Sequence, residues 1–132
     1  MIAALDGLGA ITLFTEDLAR TAAFYRDVFG LALIFEDDNS AAFRFGGTVL
    51  NVLQADAAHE LVEPAPVGGP DAGRRMQLTV WVEDTDAVCA QLQEHGVALL
   101  NGPVDRPWGQ RTAAFADPAG HVWEVAQNIG AG

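Results

Sequence analysis

The sequence predicts an α+β fold built from two tandem βαβββ modules, and three observations carry that prediction. Two short segments read alike: ITLFTED at 11–17 and LTVWVED at 78–84 match apolar residues or threonine position by position and end in Glu-Asp. Each then runs into a stretch of helical spacing closed by a glycine. Further on, AAFRFGGTVLNVLQ at 41–54 aligns with AAFADPAGHVWEVAQ at 113–127 once one residue is added at the second turn. Self-similarity of this kind marks a duplicated supersecondary unit.

The elements follow in order. The segment 11–17 alternates as a short strand, and Asp17 is placed to cap a helix. Leu18, Ala22, Tyr25 and Phe29 fall on one helical face, and Gly30 ends that helix. A strand is expected to start at Leu31-Ala32-Leu33, followed by a hairpin turning at Gly46-Gly47. The second half repeats this with Asp84 or Thr85 as cap, Val88, Leu92 and His95 on one face, and Gly96 as terminator. Its strand start is Val97-Ala98-Leu99, and its last hairpin turns at Asp117-Pro118-Ala119-Gly120. The chain is thus one domain over 1–132, with modules at 7–54 and 77–128. The connector 55–76, rich in Ala, Pro and Gly, is read as irregular, and so is the loop 103–111 around Trp108.

Strand alternation sorts the residues onto two faces. Ile11, Leu13, Leu50 and Val52 belong against the helix of the first module, as do Leu78, Val80, Trp123 and Val125 in the second. Ala10, Thr12, Phe14 and Asn51 then share the opposite face of the first sheet, and Gln77, Thr79, Trp81 and Glu124 that of the second. If the half-sheets curl toward one another, this second face lines a cavity with Asn51, Gln77 and Glu124 at its polar centre.

Composition bounds what such a cavity does. In 132 residues, 18 acidic and 7 basic side chains give a net charge of −11, and every basic residue is arginine. A phosphate-loop or Schiff-base lysine is therefore excluded. Nucleic acid and anionic membrane surfaces are disfavoured as partners. Cys89 is the single cysteine, which excludes an internal disulfide and a multi-cysteine zinc site. The opening Met-Ile-Ala-Ala-Leu-Asp lacks a cationic region, and no apolar run is long enough for a membrane span, so a cytoplasmic protein is expected.

Three stretches, TEDLARTAAFYRDVFGL, VEDTDAVCAQLQEHGV and RPWGQRTAAFADPAGHVWEVAQ, resemble the vicinal oxygen chelate superfamily of glyoxalases, extradiol dioxygenases and bleomycin-resistance proteins. The resemblance spans about residues 7–128, and the PWG loop with its DPAG turn looks most like the bleomycin-resistance branch. It implies paired βαβββ modules in a cupped, barrel-like mixed sheet with helices outside, usually as a homodimer. It also implies, for the enzymes, a divalent metal held by His and Glu side chains. Carried over by the internal repeat, the four metal positions are Ala10, Asn51, Gln77 and Glu124. Only Glu124 keeps a ligand of the family type. One carboxylate and two amides make a weak donor set for zinc, nickel or iron, and a poor calcium site. No cofactor is therefore expected, with a divalent metal as the minority reading.

For Glu124 the open readings are acid/base, anchor of a cationic ligand, or relic of an ancestral metal site bonded to Gln77 or Asn51. Phe14, Trp81 and Trp108 suit a planar ligand by stacking and cation–π contact, against ordinary core for Trp81 and dimer packing for Trp108. Arg106 and Arg111 either receive an anionic group or make local salt bridges. Cys89 reads as a core thiol. The favoured function is metal-free binding of an aromatic or cationic small molecule, of the sequestration or resistance type. Its polar contacts would be Asn51, Gln77 and Glu124, and its surface Phe14, Trp81 and Trp108. The alternative is a divalent-metal glyoxalase- or dioxygenase-like enzyme with a rearranged site. A third reading is a metal-free enzyme using Glu124.

Overall fold

The computed structural model describes residues 1–130. Packing divides the chain into two units, Met1–Gly69 and Pro70–Gly132, and each holds one βαβββ module. In the first, β1 (Ala10–Thr15) leads into α1 (Leu18–Asp27), then β2 (Leu33–Glu36), β3 (Ser40–Phe45) and β4 (Thr48–Gln54). The sheet order is β1-β4-β3-β2, with β1 parallel to β4 and the other pairs antiparallel. A 3-10 turn at Ala55–Ala57 and a one-turn helix α2 (His59–Val62) follow. In the second unit, β5 (Leu78–Trp81), α3 (Thr85–Glu94), β6 (Leu99–Arg106), β7 (Gln110–Ala116) and β8 (Val122–Asn128) repeat the plan in the order β5-β8-β7-β6.

Helices α1 and α3 start as their sequences dictate. Asp17 accepts from Arg20 N at 3.1 Å and Asp84 from Ala87 N at 3.0 Å, each satisfying an orphan donor of the first turn. A glutamine at the end of each module's last strand adds a second cap. Gln54 Oε1 accepts from Leu18 N at 3.1 Å, and Gln127 Oε1 accepts from Thr85 N at 2.9 Å. The duplication thus extends to the hydrogen bonds that join strand end to helix start.

The core of each unit lies between helix and sheet, on the face that alternation assigned. In the first unit Leu13, Leu50 and Val52 are buried beneath Tyr25, whose ring meets Phe43 at 6.4 Å between centroids. Thr15 Oγ1 and Thr21 Oγ1 hydrogen-bond at 2.9 Å and tie β1 to α1. In the second, Trp123, Val125 and Phe115 are buried with Cys89 and Leu92 of α3. Fully burying side chains of this size contributes roughly 1.5–3 kcal/mol each.

Several boundaries differ from the sequence reading. Gly30 and Gly96 do close the helices, at φ 69° and 77°, but the strands begin at Leu33 and Leu99, two residues late. The residues after each glycine bond back to the helix end: Leu31 N donates to Tyr25 O at 3.1 Å and Val97 N to Leu92 O at 2.9 Å. The buried stripe of α3 is Thr85, Cys89 and Leu92, while His95 lies past the helix as its exposed C-cap. Phe29 likewise sits beyond α1, where its ring packs on Tyr25 and Phe45. The connector is not wholly irregular, since it holds the 3-10 turn and α2.

The largest departure is the expected loop 103–111, most of which is strand. Only 107–109 form the turn, closed by Gly109 N donating to Arg106 O at 3.1 Å. Pro103 is tolerated because β6 is an edge strand whose register shifts between Asn101 and Val104. Gly102 makes that shift feasible. Its φ is 86°, and a Cβ there would collide with the backbone at Thr112 and Ala113.

Candidate functional site

In the second unit the sheet face away from α3 is set by the register of β5, β8 and β7. Thr79 lies opposite Glu124 and Trp81 opposite Ala126 on one side of β8. Ala114 and Thr112 oppose the same two residues on the other side, with Gln110 opposite Asn128. Small buried residues, Ala114, Ala126 and Thr112, form the floor. Trp81 stands on it at 68% exposure, and Trp108 at the β6–β7 turn is 62% exposed. Neither tryptophan is core packing within this unit. Trp123, by contrast, is buried on the helix side, as alternation required.

Glu124 is half-buried, and its Oε1 accepts from Thr79 Oγ1 at 3.0 Å. The partner is therefore the threonine directly across the strand pair, a contact the sequence reading did not assign. Gln77 precedes β5, is exposed, and has no side-chain hydrogen-bond partner among the described residues. Beyond Asn128 the polar chain continues, with Gln110 Nε2 donating to Asn128 Oδ1 at 3.3 Å and Trp108 Nε1 donating to Gln110 Oε1 at 3.1 Å. These bonds hold the indole of Trp108 at the turn end of the face.

In the first unit, Thr12 pairs with Asn51 and Phe14 with Leu53 across β1 and β4. Ala10 and Thr12 are exposed, while Phe14 and Asn51 are half-buried. This face carries the Asn51 amide, the Thr12 hydroxyl, the Phe14 ring and, opposite Val49, Arg44, with only a methyl at Ala10. The four positions at which the resemblance implies a metal thus hold a methyl, two amides and a carboxylate already engaged by Thr79. That set does not suit a divalent transition metal. Among the described residues, no three His, Cys, Asp or Glu side chains form a group that could hold one.

The arginines and histidines separate by environment. Arg111 lies on the helix side, bonded to Asp86 and Asp105 at 2.9 Å each, and these bonds push its already high pKa further up. Arg106 is half-buried and bonds only neutral groups: Nε donates to Thr112 Oγ1 at 3.0 Å and Nη2 to Asn101 Oδ1 at 3.2 Å. Its guanidinium carbon lies 5.9 Å from the Trp108 ring centroid. His121 sits in the turn before β8, where buried Asp117 holds its Nδ1 at 2.8 Å. His59 lies on α2 and His95 at the end of α3, so none of the three histidines lies on the open sheet faces. Burial and nearby Asp86 push the Cys89 thiol up, as fits a core thiol.

The family model for the glyoxalase/bleomycin resistance protein/dioxygenase superfamily matches residues 7–125. The chain belongs to that superfamily. This vicinal oxygen chelate protein is 32% identical over 120 residues to the uncharacterized protein YraH of Bacillus subtilis, covering 87% of this chain and 93% of the relative. It is 27% identical to the anthracycline biosynthesis protein DnrV of Streptomyces peucetius, over 86% of this chain and 44% of that protein. Among solved structures, a superfamily protein from Nocardioides aligns with a TM-score of 0.84 at 26% identity, covering 96% of this chain and 85% of that one. A glyoxalase-related enzyme from Fulvimarina pelagi aligns at 0.81 and 30% identity, with 94% and 89% covered. The α+β fold is thus shared with these two solved structures.

Proposed function

We propose that this superfamily member binds an aromatic or cationic small molecule without a metal, in the manner of a sequestration or resistance protein. The observation that carries the reading is the uncovered aromatic surface of the second sheet. Trp81 and Trp108 stay exposed on the face that carries Glu124, although the same unit buries Trp123. Large indoles left in solvent beside a carboxylate favour stacking on a flat ligand, with Glu124 opposing a positive charge. Gln77, just before β5, supplies a further polar contact beside the same sheet. The anthracycline pathway in the name of DnrV supports an aromatic ligand class. A homodimer and a cytoplasmic location belong to the same reading.

The test pairs metal loading with ligand binding. Protein purified without chelator is offered Zn, Ni, Co, Mn and Fe(II) while its melting curve and metal content are followed. We expect neither a stoichiometric metal nor a raised midpoint. A 2-naphthylmethylammonium probe should quench tryptophan fluorescence on binding, and Trp81→Ala should weaken it about ten-fold. One metal per chain with a raised midpoint overturns the reading in favour of a metal-dependent glyoxalase- or dioxygenase-like enzyme.

A further inference from the structure

Arg106 is the cation that the acidic surplus leaves unmatched at the candidate site. Against 18 acidic side chains stand only seven arginines, and Arg26 and Arg111 are in ion pairs. Arg20, Arg44, Arg74 and Arg75 are exposed, where water solvates a guanidinium at little cost. Arg106 is half-buried, yet no described carboxylate lies within ion-pair distance of it. Its two protein bonds go to neutral oxygens of Thr112 and Asn101 and use two of its five N–H donors. The remaining donors are held in a fixed fork, because the planar group is pinned at Nε and one Nη.

The register places that fork on the ligand face. Thr112 lies opposite Ala126, which lies opposite Trp81, so Arg106 is bonded two strands from Trp81, roughly 10 Å at ordinary strand spacing. Glu124 is one strand over and one pleat along from Thr112. The half-buried guanidinium therefore presents unused N–H donors on this face, which an acidic oxygen of a ligand would fill.

We propose that Arg106 receives an acidic oxygen of the ligand, so that the ligand is an aromatic compound carrying both a basic nitrogen and an acidic oxygen. The nitrogen faces Glu124, the ring lies on Trp81, and a carboxylate or ionised phenol or enol meets the free N–H groups of Arg106. Trp108, beside the guanidinium, closes the anionic end. This inference rests on the binding reading above and narrows its ligand class.

The test compares 2-naphthylmethylammonium with 6-aminomethyl-2-naphthoate, which adds one carboxylate to the same ring system. The amphoteric probe should bind at least about ten-fold tighter to the unmodified protein. That gain should vanish in Arg106→Gln and be partly kept in Arg106→Lys, which preserves the charge but not the fork. Equal affinity for the two probes, or a gain that survives Arg106→Gln, overturns the role of Arg106 while leaving the binding reading intact. Failure of both probes to bind the unmodified protein overturns both. If Arg106→Gln does not fold, an unchanged gain in a folded Arg106→Lys overturns the proposal equally.

Discussion

Asp37 shows how one side chain can organise a strand start in this protein. Its Oδ1 accepts from Asn39 N at 2.9 Å, from Ser40 N at 2.8 Å and from Ser40 Oγ at 3.0 Å. These donors, led by the Asn39 backbone N–H, hold the carboxyl below the usual aspartate range. A depressed carboxyl stabilises the fold above its unfolded value and loses that contribution as pH falls through the folded one. Asp37→Asn keeps an acceptor but not the charge. The gap in urea midpoint between the two proteins should therefore be widest near neutrality and should close between about pH 5 and pH 2. A gap unchanged over that range would mean that Asp37 is ionised equally in both states. The same turn chemistry recurs at Asp117, which accepts from Ala119 N and His121 N at 2.9 Å each.

At the scale of elements, the helices were legible because their signals are local, and β6 was not because its signals conflict. Asp84, Gly96 and the spacing between them specify α3 from within its own dozen residues. Asp84→Ala should cost about 1 kcal/mol, read as a lowered urea midpoint with an unchanged slope. The caps supplied by Gln54 and Gln127 were out of reach, since each joins residues about forty apart. Pro103 argued for a loop at β6, and only the edge position and the bulge at Gly102 reconcile it with a strand. Strand parity did sort the faces correctly: Leu50, Val52, Trp123 and Val125 are buried or nearly so on the helix side, and Asn51 and Glu124 lie opposite. Parity names a face but not a partner, so it offered Gln77 or Asn51 for Glu124 where the register supplies Thr79. It also could not separate Arg106 from Arg111, which alternate to opposite faces only once β6 and β7 are known to continue to the turn.

At the scale of the whole molecule, duplication gives each module the same unpaired outer strand, and the two edges are guarded differently. β6 carries Asp105 and Arg106 and is bent by its bulge, both of which discourage edge pairing. β2 exposes Leu33, Ile34 and Phe35 at 41%, 44% and 57%, with only Glu36 to guard its end. An apolar edge strand left open in this way is a template for another strand, and a second copy of the chain is the partner that the homodimer reading supplies. Each copy carries −11, so association works against like-charge repulsion that salt screens. The protein should therefore sediment as a dimer at micromolar concentration, and its dissociation constant should fall as salt is raised. Phe35→Glu adds a charge to the edge itself and should give a folded monomer with an unchanged circular dichroism spectrum. A dimer that persists in Phe35→Glu would move the interface away from β2. A dimer that weakens in salt would mean that ion pairs, rather than this apolar edge, hold the two copies together.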